Sequence, residues 1–458
     1  MNPNLEDTII AISTPAGPGG IGIVRISGPE ALSVASKIFS AREDSPADNP
    51  RTMCFGYLLD IDHKEKIDAG YICYFPAPHS YTREDVIEIH LHGSPVLLAE
   101  AVKQGIKAGA RLAHPGEFTL RAYLHGRIDA LQAEAINDLI RASSLNQARI
   151  SFKQLEGSLS RKIGDIRAKT VELLSLLETS IEFPEEELGL GIKQIKASLS
   201  ALIDSIGKLV RSYEQGRAML EGLTIVLLGK TNVGKSTLFN ALLEEERSIV
   251  TPYPGTTRDF IRENIMLDGV LMRLVDMAGY GQAQHPVEKE GITRSQKLAK
   301  NADGLLIILD FSRKETEEDF YLLDKFVDKN RIIIFNKCDL PQKINQKRIL
   351  EACGGIPYVE ISALKGLNLD RLKELMLKNF VPSEEKQEEI ILHERQKGLL
   401  EIMLQHLNRA LEMLNTGYGE ELIAEEIKEI LPAIGQLTGE IRAQEVIEQI
   451  FSRFCLGK

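Results

Sequence analysis

One glycine-rich segment of the sequence has the residue types and spacing that bind phosphate. It spans residues 229–236, GKTNVGKS, and lies between a predicted strand and a predicted helix. The glycines let backbone N–H groups surround phosphate oxygens, Lys235 neutralises charge on the β- and γ-phosphates, and the Ser236 hydroxyl can ligate Mg²⁺. This spacing predicts a nucleotide site in which Lys235 is catalytic. The residues assigned to it here are Asn232, Val233, Gly234, Lys235, Ser236 and Thr237.

Three later segments supply the other parts of a guanine-nucleotide site. Asp276 ends a predicted strand and can hold Mg²⁺ through water, while the N–H of Gly279 can contact the γ-phosphate. Residues 336–339, NKCD, end another strand. The carboxylate of Asp339 can accept from N1 and N2 of guanine, a donor pair that adenine lacks. The predicted base-binding residues are Asn336, Lys337, Asp339, Ser362 and Ala363.

A segment rich in glycine and proline lies between the phosphate loop and Asp276. Residues 251–259, TPYPGTTRD, predict a mobile switch whose Thr257 offers a second hydroxyl to Mg²⁺. Tyr280 follows Gly279, where Ras-like enzymes have the glutamine that orients water. No arginine finger is evident, so another group must position the attacking water.

These segments lie in a stretch that alternates short apolar strands with helices. Residues 223–381 predict a mostly parallel, doubly wound sheet, a Ras-like P-loop α/β G domain. The first 120 residues predict a small α+β domain of short strands, and apolar residues at helical spacing predict an all-α domain on both sides of the G domain. The predicted domains are 1–120, 121–220 and 382–458 (two segments of the helical domain), and 221–381, the inserted G domain.

The composition limits the class of protein. The chain has 458 residues, of which 43% are hydrophobic and 26% charged, as in ordinary soluble globular proteins. No apolar run has the length of a membrane span, and the N-terminal residues do not resemble a signal peptide. Five scattered cysteines without zinc-type spacing predict a cytoplasmic protein. The net charge of −11 argues against a broad non-specific nucleic-acid surface but leaves a local RNA site open.

Two patterns near the N-terminus resemble binding motifs. Residues 17–22, GPGGIG, match the dinucleotide fingerprint by letter, but a strand follows where that fingerprint requires a helix. A glycine hairpin or substrate loop is therefore predicted. On the predicted strand 85–92, Glu88, His90 and His92 share one face. This face could bind a metal, but a polar face toward a ligand or solvent is favoured because no third distant ligand group is apparent.

The final residues, FCLGK, place a thiol and an ammonium at the end of the chain. A Cys-x-x-X ending can signal prenylation, but Gly457 and Lys458 do not fit the preferences of prenyl transfer. Taken alone, Cys455 is a thiol that packs a terminal helix.

The whole chain resembles the MnmE (TrmE) family of tRNA-modification GTPases. The resemblance rests on DTIIAIST and GGIGIVRISG near the start, HPGEFTLRAYLHGRIDALQAEAI, IEFPEEE before the G domain, GTTRD in the switch, and CLGK at the end. It implies an N-terminal tetrahydrofolate-binding domain, a helical domain in two segments and a G domain that dimerises across the nucleotide with K⁺. Where the family reads Asp-Thr-Ala-Gly, an apolar residue and Arg, this chain has Met277 and Tyr280-Gly281.

The resemblance also implies specific site residues. Asn232 and backbone oxygens of the switch would hold K⁺, which supplies the charge of an arginine finger, and Glu288 would orient water, with Glu290 as its rival. Cys455 would be a catalytic nucleophile near the folate one-carbon unit. The implied K⁺ ligands of the switch are Thr251, Tyr253 and Thr256, and the implied folate ligands are Arg25, Glu88, Arg127 and Lys458.

The implied function is a homodimeric, K⁺-dependent GTP hydrolase that acts with a FAD-containing partner of the MnmG (GidA) type. Together they would modify carbon 5 of the wobble uridine (position 34) of certain tRNAs to carboxymethylaminomethyluridine. The implied cofactors are Mg²⁺, K⁺, GTP/GDP and 5,10-methylene- or 5-formyl-tetrahydrofolate. The alternative is an RNA- or ribosome-binding assembly GTPase that modifies nothing, although such a protein would need a basic RNA-binding region that this acidic chain does not display.

Overall fold

The chain folds into two compact units. The first contains Met1–Asn137, Phe152–Ile203 and Ile402–Lys458, and the second contains Asp138–Ser151 and Asp204–Glu401. The computed structural model describes residues 6–42, 45–182, 188–246, 261–276, 298–381, 390–441, 450–451, 454 and 457.

A seven-stranded sheet forms the N-terminal part of the first unit. Its strand order is β3-β4-β5-β6-β2-β1-β7, antiparallel except where β7 pairs parallel with β1. Buried Ile87, Ile89 and Leu91 alternate with more exposed residues along β6, so one face of the sheet lies on an apolar core. The strands are β1 (Ile9–Ile12), β2 (Gly19–Ser27), β3 (Phe39–Ala41), β4 (Cys54–Leu59), β5 (Lys66–Phe75), β6 (Val86–Gly93) and β7 (Arg111–Leu112), and the helices on the core are α1 (Ala31–Ile38) and α2 (Pro95–Lys107).

A run of helices follows this sheet in sequence. It comprises α3 (Glu117–Leu124), α4 (Ala130–Arg141), α5 (Leu145–Leu155), α6 (Ser158–Glu182) and α7 (Leu188–Glu221). In α6, the leucines and isoleucines that recur at helical spacing are the buried ones, which gives this helix one apolar face.

The second unit contains a six-stranded sheet with the order β13-β12-β11-β8-β10-β9. All neighbours are parallel except β9 and β10, which form a hairpin through Asp268 and Gly269, both at positive φ. Leu306 and Ile308 face one core and Leu305 and Ile307 the other, so both faces of the sheet are covered. The elements in chain order are β8 (Leu223–Leu228), α8 (Lys235–Glu246), β9 (Ile261–Leu267), β10 (Val270–Asp276), β11 (Gly304–Asp310), α9 (Glu317–Lys325), β12 (Arg331–Asn336), α10 (Gln346–Cys353), β13 (Tyr358–Ile361) and α11 (Leu369–Phe380).

The chain after the second sheet is again helical. It forms α12 (Glu394–Thr416), α13 (Glu420–Lys428) and α14 (Ile430–Thr438), and α13 and α14 pack against α6 within the first unit. The predicted fold class is thus confirmed: an α+β N-terminal domain, helices on both sides in sequence, and a Ras-like α/β domain between them. The three boundaries between the predicted segments stay a prediction. Among the described residues, no helix combines the length and apolarity needed to cross a membrane.

Candidate functional site

The phosphate loop connects β8 to α8 and needs glycine at two positions. Gly229 has φ +155° and Gly234 has φ +96°, values that side chains disfavour. A Cβ on Gly234 would lie 2.2 Å from the Asn336 amide nitrogen. The loop is therefore pressed against the end of β12, which brings the phosphate-binding and base-binding segments together.

Lys235 lies in the first turn of α8 and is only 7% exposed. Its ammonium donates to the carbonyl oxygens of Gly229, at 3.0 Å, and Lys230, at 2.7 Å. Burial lowers the pKa of Lys235 below its ordinary value, and the nearby charge of Asp276 opposes that shift only in part. The negative charge of a bound phosphate group would stabilise this buried cation.

Ser236 and Asp276 form the pair expected for magnesium. The Ser236 hydroxyl donates to Asp276 Oδ2 at 2.8 Å. Asp276 is 6% exposed, and its Oδ1 has no hydrogen-bond partner among the described residues. A buried carboxylate oxygen without a partner is costly unless a cation or water binds it. These two side chains therefore fit Mg²⁺, which would be held by Ser236 directly and by Asp276 through water.

Asn336 joins three segments of the site. Its amide nitrogen donates to the carbonyl oxygen of Val233 at 2.8 Å, and its amide oxygen accepts from the N–H of Ala363 at 3.0 Å. It thereby fastens the phosphate loop and the 362–363 loop to the end of β12. Lys337 adds a second connection, because its ammonium donates to the carbonyl oxygen of Asn232 at 2.8 Å.

The carboxylate of Asp339 is the group predicted to bind the guanine base. A hydrogen bond from Ser362 lowers the pKa of Asp339 below its ordinary value, so the group is an anion at neutral pH. Lys365 lies 3.9 Å away, too far for a close ion pair. The geometry agrees with a carboxylate that accepts from the two guanine donors.

Asp310 was missed by the sequence analysis. It ends β11, is 7% exposed, and accepts from Lys337 at 2.6 Å and from the Ser312 hydroxyl at 2.6 Å. It holds the long lysine side chain over the phosphate loop. An acidic residue at the carboxyl end of a buried parallel strand was the available signal.

Several predicted residues lie outside the described residues, so their assignments stay predictions. These are Thr251, Tyr253, Thr256, Thr257, Gly279, Glu288 with its rival Glu290, Cys455 and Lys458.

A second cluster lies on the N-terminal sheet. Arg25 and Glu88 are opposite each other on β2 and β6, and the guanidinium donates twice to Glu88 Oε1, at 3.0 and 2.8 Å. His90 lies 3.6 Å from Glu88 Oε2. Glu88, His90 and His92 are the more exposed positions of β6, as predicted. Among the described residues, no group of three or more His, Cys, Asp or Glu side chains could hold a metal ion. Because β2 begins at Gly19, inside the GPGGIG segment, the dinucleotide alternative is excluded.

Tyr81 connects the predicted arginines, and the sequence analysis missed it. The guanidinium carbons of Arg25 and Arg127 lie 5.2 and 5.5 Å from its ring centroid, within cation–π range. Its hydroxyl is 2.9 Å from the hydroxyl of buried Thr119. Arg127 also donates to the carbonyl oxygen of Ser80. Burial raises the pKa of Tyr81, so the hydroxyl is neutral at physiological pH.

The end of the chain is anchored to this N-terminal part. Phe451 and Phe454 are stacked, buried and packed in a cluster with α3 residues. Gly457 has φ +89° and lies against β1, where a Cβ would be 1.9 Å from the carbonyl oxygen of Ile12. The Ser13 hydroxyl donates to the carbonyl oxygen of Gly457 at 3.1 Å. This contact places Gly457 beside the end of β1, the strand in which Ala11 is paired with Arg25 of β2.

The edge of the second sheet defines the class of protein. A glycine-rich loop after β8, the Ser236–Asp276 pair beside it and the Asp339 carboxylate after β12 have the arrangement of a P-loop GTPase. Proteins of this class bind GTP and GDP with Mg²⁺.

Comparison with known proteins identifies the family. A family model described as "GTP-binding protein TrmE N-terminus" matches residues 8–127, and one described as "MnmE helical domain" matches residues 131–455. The tRNA modification GTPase MnmE of Thermoanaerobacter sp. is 40% identical over 99% of both chains, and that of Aquifex aeolicus is 40% identical over 99% of this chain and 100% of its own. The chain belongs to the MnmE family of tRNA modification GTPases. The solved G domain of the T. maritima FeoB iron transporter is 29% identical over 34% of this chain and 97% of its own, with a TM-score of 0.28.

Proposed function

We propose that this GTPase, with a FAD-containing partner of the MnmG type, modifies carbon 5 of the wobble uridine of certain tRNAs in the cytoplasm. The product would be carboxymethylaminomethyluridine, and a folate one-carbon unit would be its carbon source. GTP hydrolysis would close and reopen the G domains and so gate the chemistry. The observation that carries this proposal is the cluster of Arg25, Glu88 and Tyr81, in a unit where Gly457 lies against the adjoining strand.

The N-terminal cluster suits a tetrahydrofolate. Both bonds from Arg25 go to Glu88 Oε1, so Oε2 can still accept from the amino and ring N–H groups of a pterin. The ring of Tyr81 offers a partly buried aromatic surface beside Arg25. When bound, the folate would supply the one-carbon unit. Arg127 and Lys458 would bind its carboxylates, and Cys455 would be the nucleophile near the one-carbon carrier.

Asn232 supports the proposed dependence on K⁺. Its φ is +63°, its carbonyl oxygen accepts from Lys337, and its side chain is exposed in the phosphate loop. The amide oxygen can therefore ligate a cation beside the phosphates. Thr251, Tyr253 and Thr256 would complete the shell, and Glu288 would orient the attacking water.

An exposed aromatic patch supports the proposed homodimer. Phe55 and Tyr71 are paired across β4 and β5, are 37% and 47% exposed, and contact each other edge to face. Tyr57 extends the patch. Contiguous exposed aromatics on a sheet face are typical of interfaces, and a second copy of the chain offers the same flat surface.

Nucleoside analysis tests the proposed modification. In a strain that lacks the protein, mass analysis of tRNA should show loss of carboxymethylaminomethyluridine at position 34, and restoring the gene should restore it. Unchanged nucleosides would favour the alternative, an assembly GTPase without modifying activity.

A cation exchange tests the K⁺ assignment separately. The rate of GTP hydrolysis should fall when Na⁺ replaces K⁺ at constant ionic strength, because Na⁺ is too small for the same set of oxygens. Equal rates in the two salts would refute the role given to Asn232.

A further inference from the structure

Lys230, the second residue of the phosphate loop, holds that loop to a neighbouring helix. Its ammonium is 2.7 Å from Asp319 Oδ2 and also contacts the Thr316 hydroxyl. Asp319 lies in the first turn of α9. The side chains of Lys230 and Asp319 are 19% and 10% exposed, so this ion pair is less exposed to solvent than most ion pairs among the described residues.

The receiving end of the pair is fixed by the cap of α9. Asp319 Oδ2 also accepts from the backbone N–H of Thr316 at 2.9 Å, and the N–H of Asp319 donates to the Thr316 carbonyl oxygen at 3.0 Å. A capped helix start has little freedom to move. Lys230 is therefore anchored to a rigid point outside the phosphate loop.

The anchored residue in turn positions the catalytic lysine. The carbonyl oxygen of Lys230 accepts from the ammonium of Lys235 at 2.7 Å, the shorter of the two bonds that this ammonium makes. A shift of residue 230 would move that oxygen and with it the cation that faces the β- and γ-phosphates. The connection runs from Asp319 through Lys230 to Lys235.

We propose that Lys230 is a positioning residue for GTP hydrolysis, which acts through its ion pair with Asp319 by fixing the carbonyl group that holds Lys235. Preorganised charge is worth most where negative charge develops in the transition state. Loss of the pair should therefore lower kcat more than it raises KM.

The Lys230→Met variant tests this inference in the full-length protein, since Met keeps the apolar stem and removes the charge. We expect kcat for GTP to fall about tenfold and KM to change by less than about threefold, because the lost interaction acts on the transition state. Lys230→Arg, which keeps a cation within reach of Asp319, should retain most of the rate. Lys208→Met, in the exposed pair with Asp204, is the matched control and should hydrolyse GTP normally.

A double-mutant cycle separates positioning from general destabilisation. Asp319→Asn should reproduce the loss in kcat, and the Lys230→Met/Asp319→Asn double variant should lose little more than either single variant. Additive losses would overturn the proposal, as would an unchanged kcat with a lowered thermal midpoint. A variant that loses GDP affinity as much as kcat would also overturn it, since the pair would then serve ground-state binding.

Discussion

Asn336 and Asp339 belong to one short segment but make different contacts. Both polar atoms of the Asn336 side chain bind backbone groups of the protein, at Val233 and Ala363. Asp339 has a weak contact with Lys365 and a hydrogen bond from Ser362, which lowers its pKa. Asn336 therefore holds the segments of the pocket together, whereas Asp339 is predicted to select the base.

The Asp339→Asn substitution should change the preferred base. In this variant the asparagine N–H would face the N–H donors of guanine, which is unfavourable. Xanthine has a carbonyl oxygen in place of the guanine amino group, and this oxygen can accept from the asparagine amide. We expect GDP affinity to fall by about tenfold to a hundredfold, the usual cost of losing a hydrogen bond to a charged group, and XDP affinity to rise. Competition against a fluorescent guanine nucleotide measures both.

The control for this substitution is Asp370→Asn, which alters a 95% exposed carboxylate on α11. It should bind GDP as the unaltered protein does. If Asp339→Asn kept its preference for guanine, Asp339 would not be the group that reads the base.

Tyr81 allows a second test at the residue scale, which rests on the proposed folate site. Tyr81→Leu removes the ring that both guanidinium groups contact, whereas Tyr81→Phe removes only the hydroxyl bonded to Thr119. Two cation–π contacts are worth about 1–2 kcal/mol together. We expect the Leu variant to bind 5-formyl-tetrahydrofolate about fivefold to thirtyfold more weakly than the unaltered protein, and the Phe variant to bind it almost normally. Isothermal titration calorimetry measures both affinities.

Both Tyr81 variants should hydrolyse GTP at the ordinary rate, because Tyr81 belongs to the unit that does not contain the phosphate loop. Equal folate affinity in the Leu variant and the unaltered protein would exclude Tyr81 from the site.

At the scale of elements, the C-terminal tail is positioned by packing contacts. Phe451 and Phe454 bury their rings beside Gly116, where a Cβ would lie 2.8 Å from the Phe451 carbonyl oxygen. Gly457 then fits against β1 with no room for a side chain. Chain ends usually fray unless they are held in this way. These contacts bring Phe451, Phe454 and Gly457 to the N-terminal part of the first unit.

Gly457→Ala should displace this tail. The added Cβ would overlap the Ile12 carbonyl oxygen, and φ +89° is a strained value for alanine. If the tail completes the modification site, a shift of about 1 Å costs about a hundredfold in rate. We expect wobble-uridine modification to fall by that order and GTP hydrolysis to remain unchanged, measured on the same protein preparation.

Gly417→Ala is the matched control for the tail. Gly417 has φ +79°, but nothing lies within 4 Å of its added Cβ, so it carries the same backbone strain without the overlap. If Gly457→Ala modified tRNA normally, or if Gly417→Ala lost as much modification activity, the contact of Gly457 with β1 would have no role in modification.

At the scale of the whole molecule, the aromatic patch on β4 and β5 predicts the state of assembly. Phe55→Glu combined with Tyr71→Glu would bury like charges across a symmetric interface, where each patch meets its copy. We expect sedimentation velocity to show a shift from dimer to monomer. Tyr418→Glu, at a 57% exposed position of the same unit, should leave the dimer intact. A dimer that survives both patch substitutions would place the interface elsewhere.

Local sequence patterns were sufficient to predict the fold class and to propose a nucleotide site. The phosphate loop could be predicted because nearby residues set its geometry: Gly229 follows β8 directly, and Lys235 and Ser236 begin α8. Asp276, Asn336 and Asp339 could be predicted because they follow apolar strands, and parallel strands bring their carboxyl ends to one edge. Alternating apolar strands and helices likewise fixed the doubly wound sheet.

The tertiary structure alone decided which groups surround Arg25. Tyr81 and Arg127 come from separate segments, and Gly457 reaches Ser13 from the other end of the chain. The same applies to the contact of Lys230 with Asp319, which joins a loop to a helix 89 residues later. No local spacing encodes such contacts, because they depend on how sheet, helices and tail pack. The spacing of apolar residues predicts only which face of a helix or strand is buried. The residues that pack on that face depend on the tertiary structure.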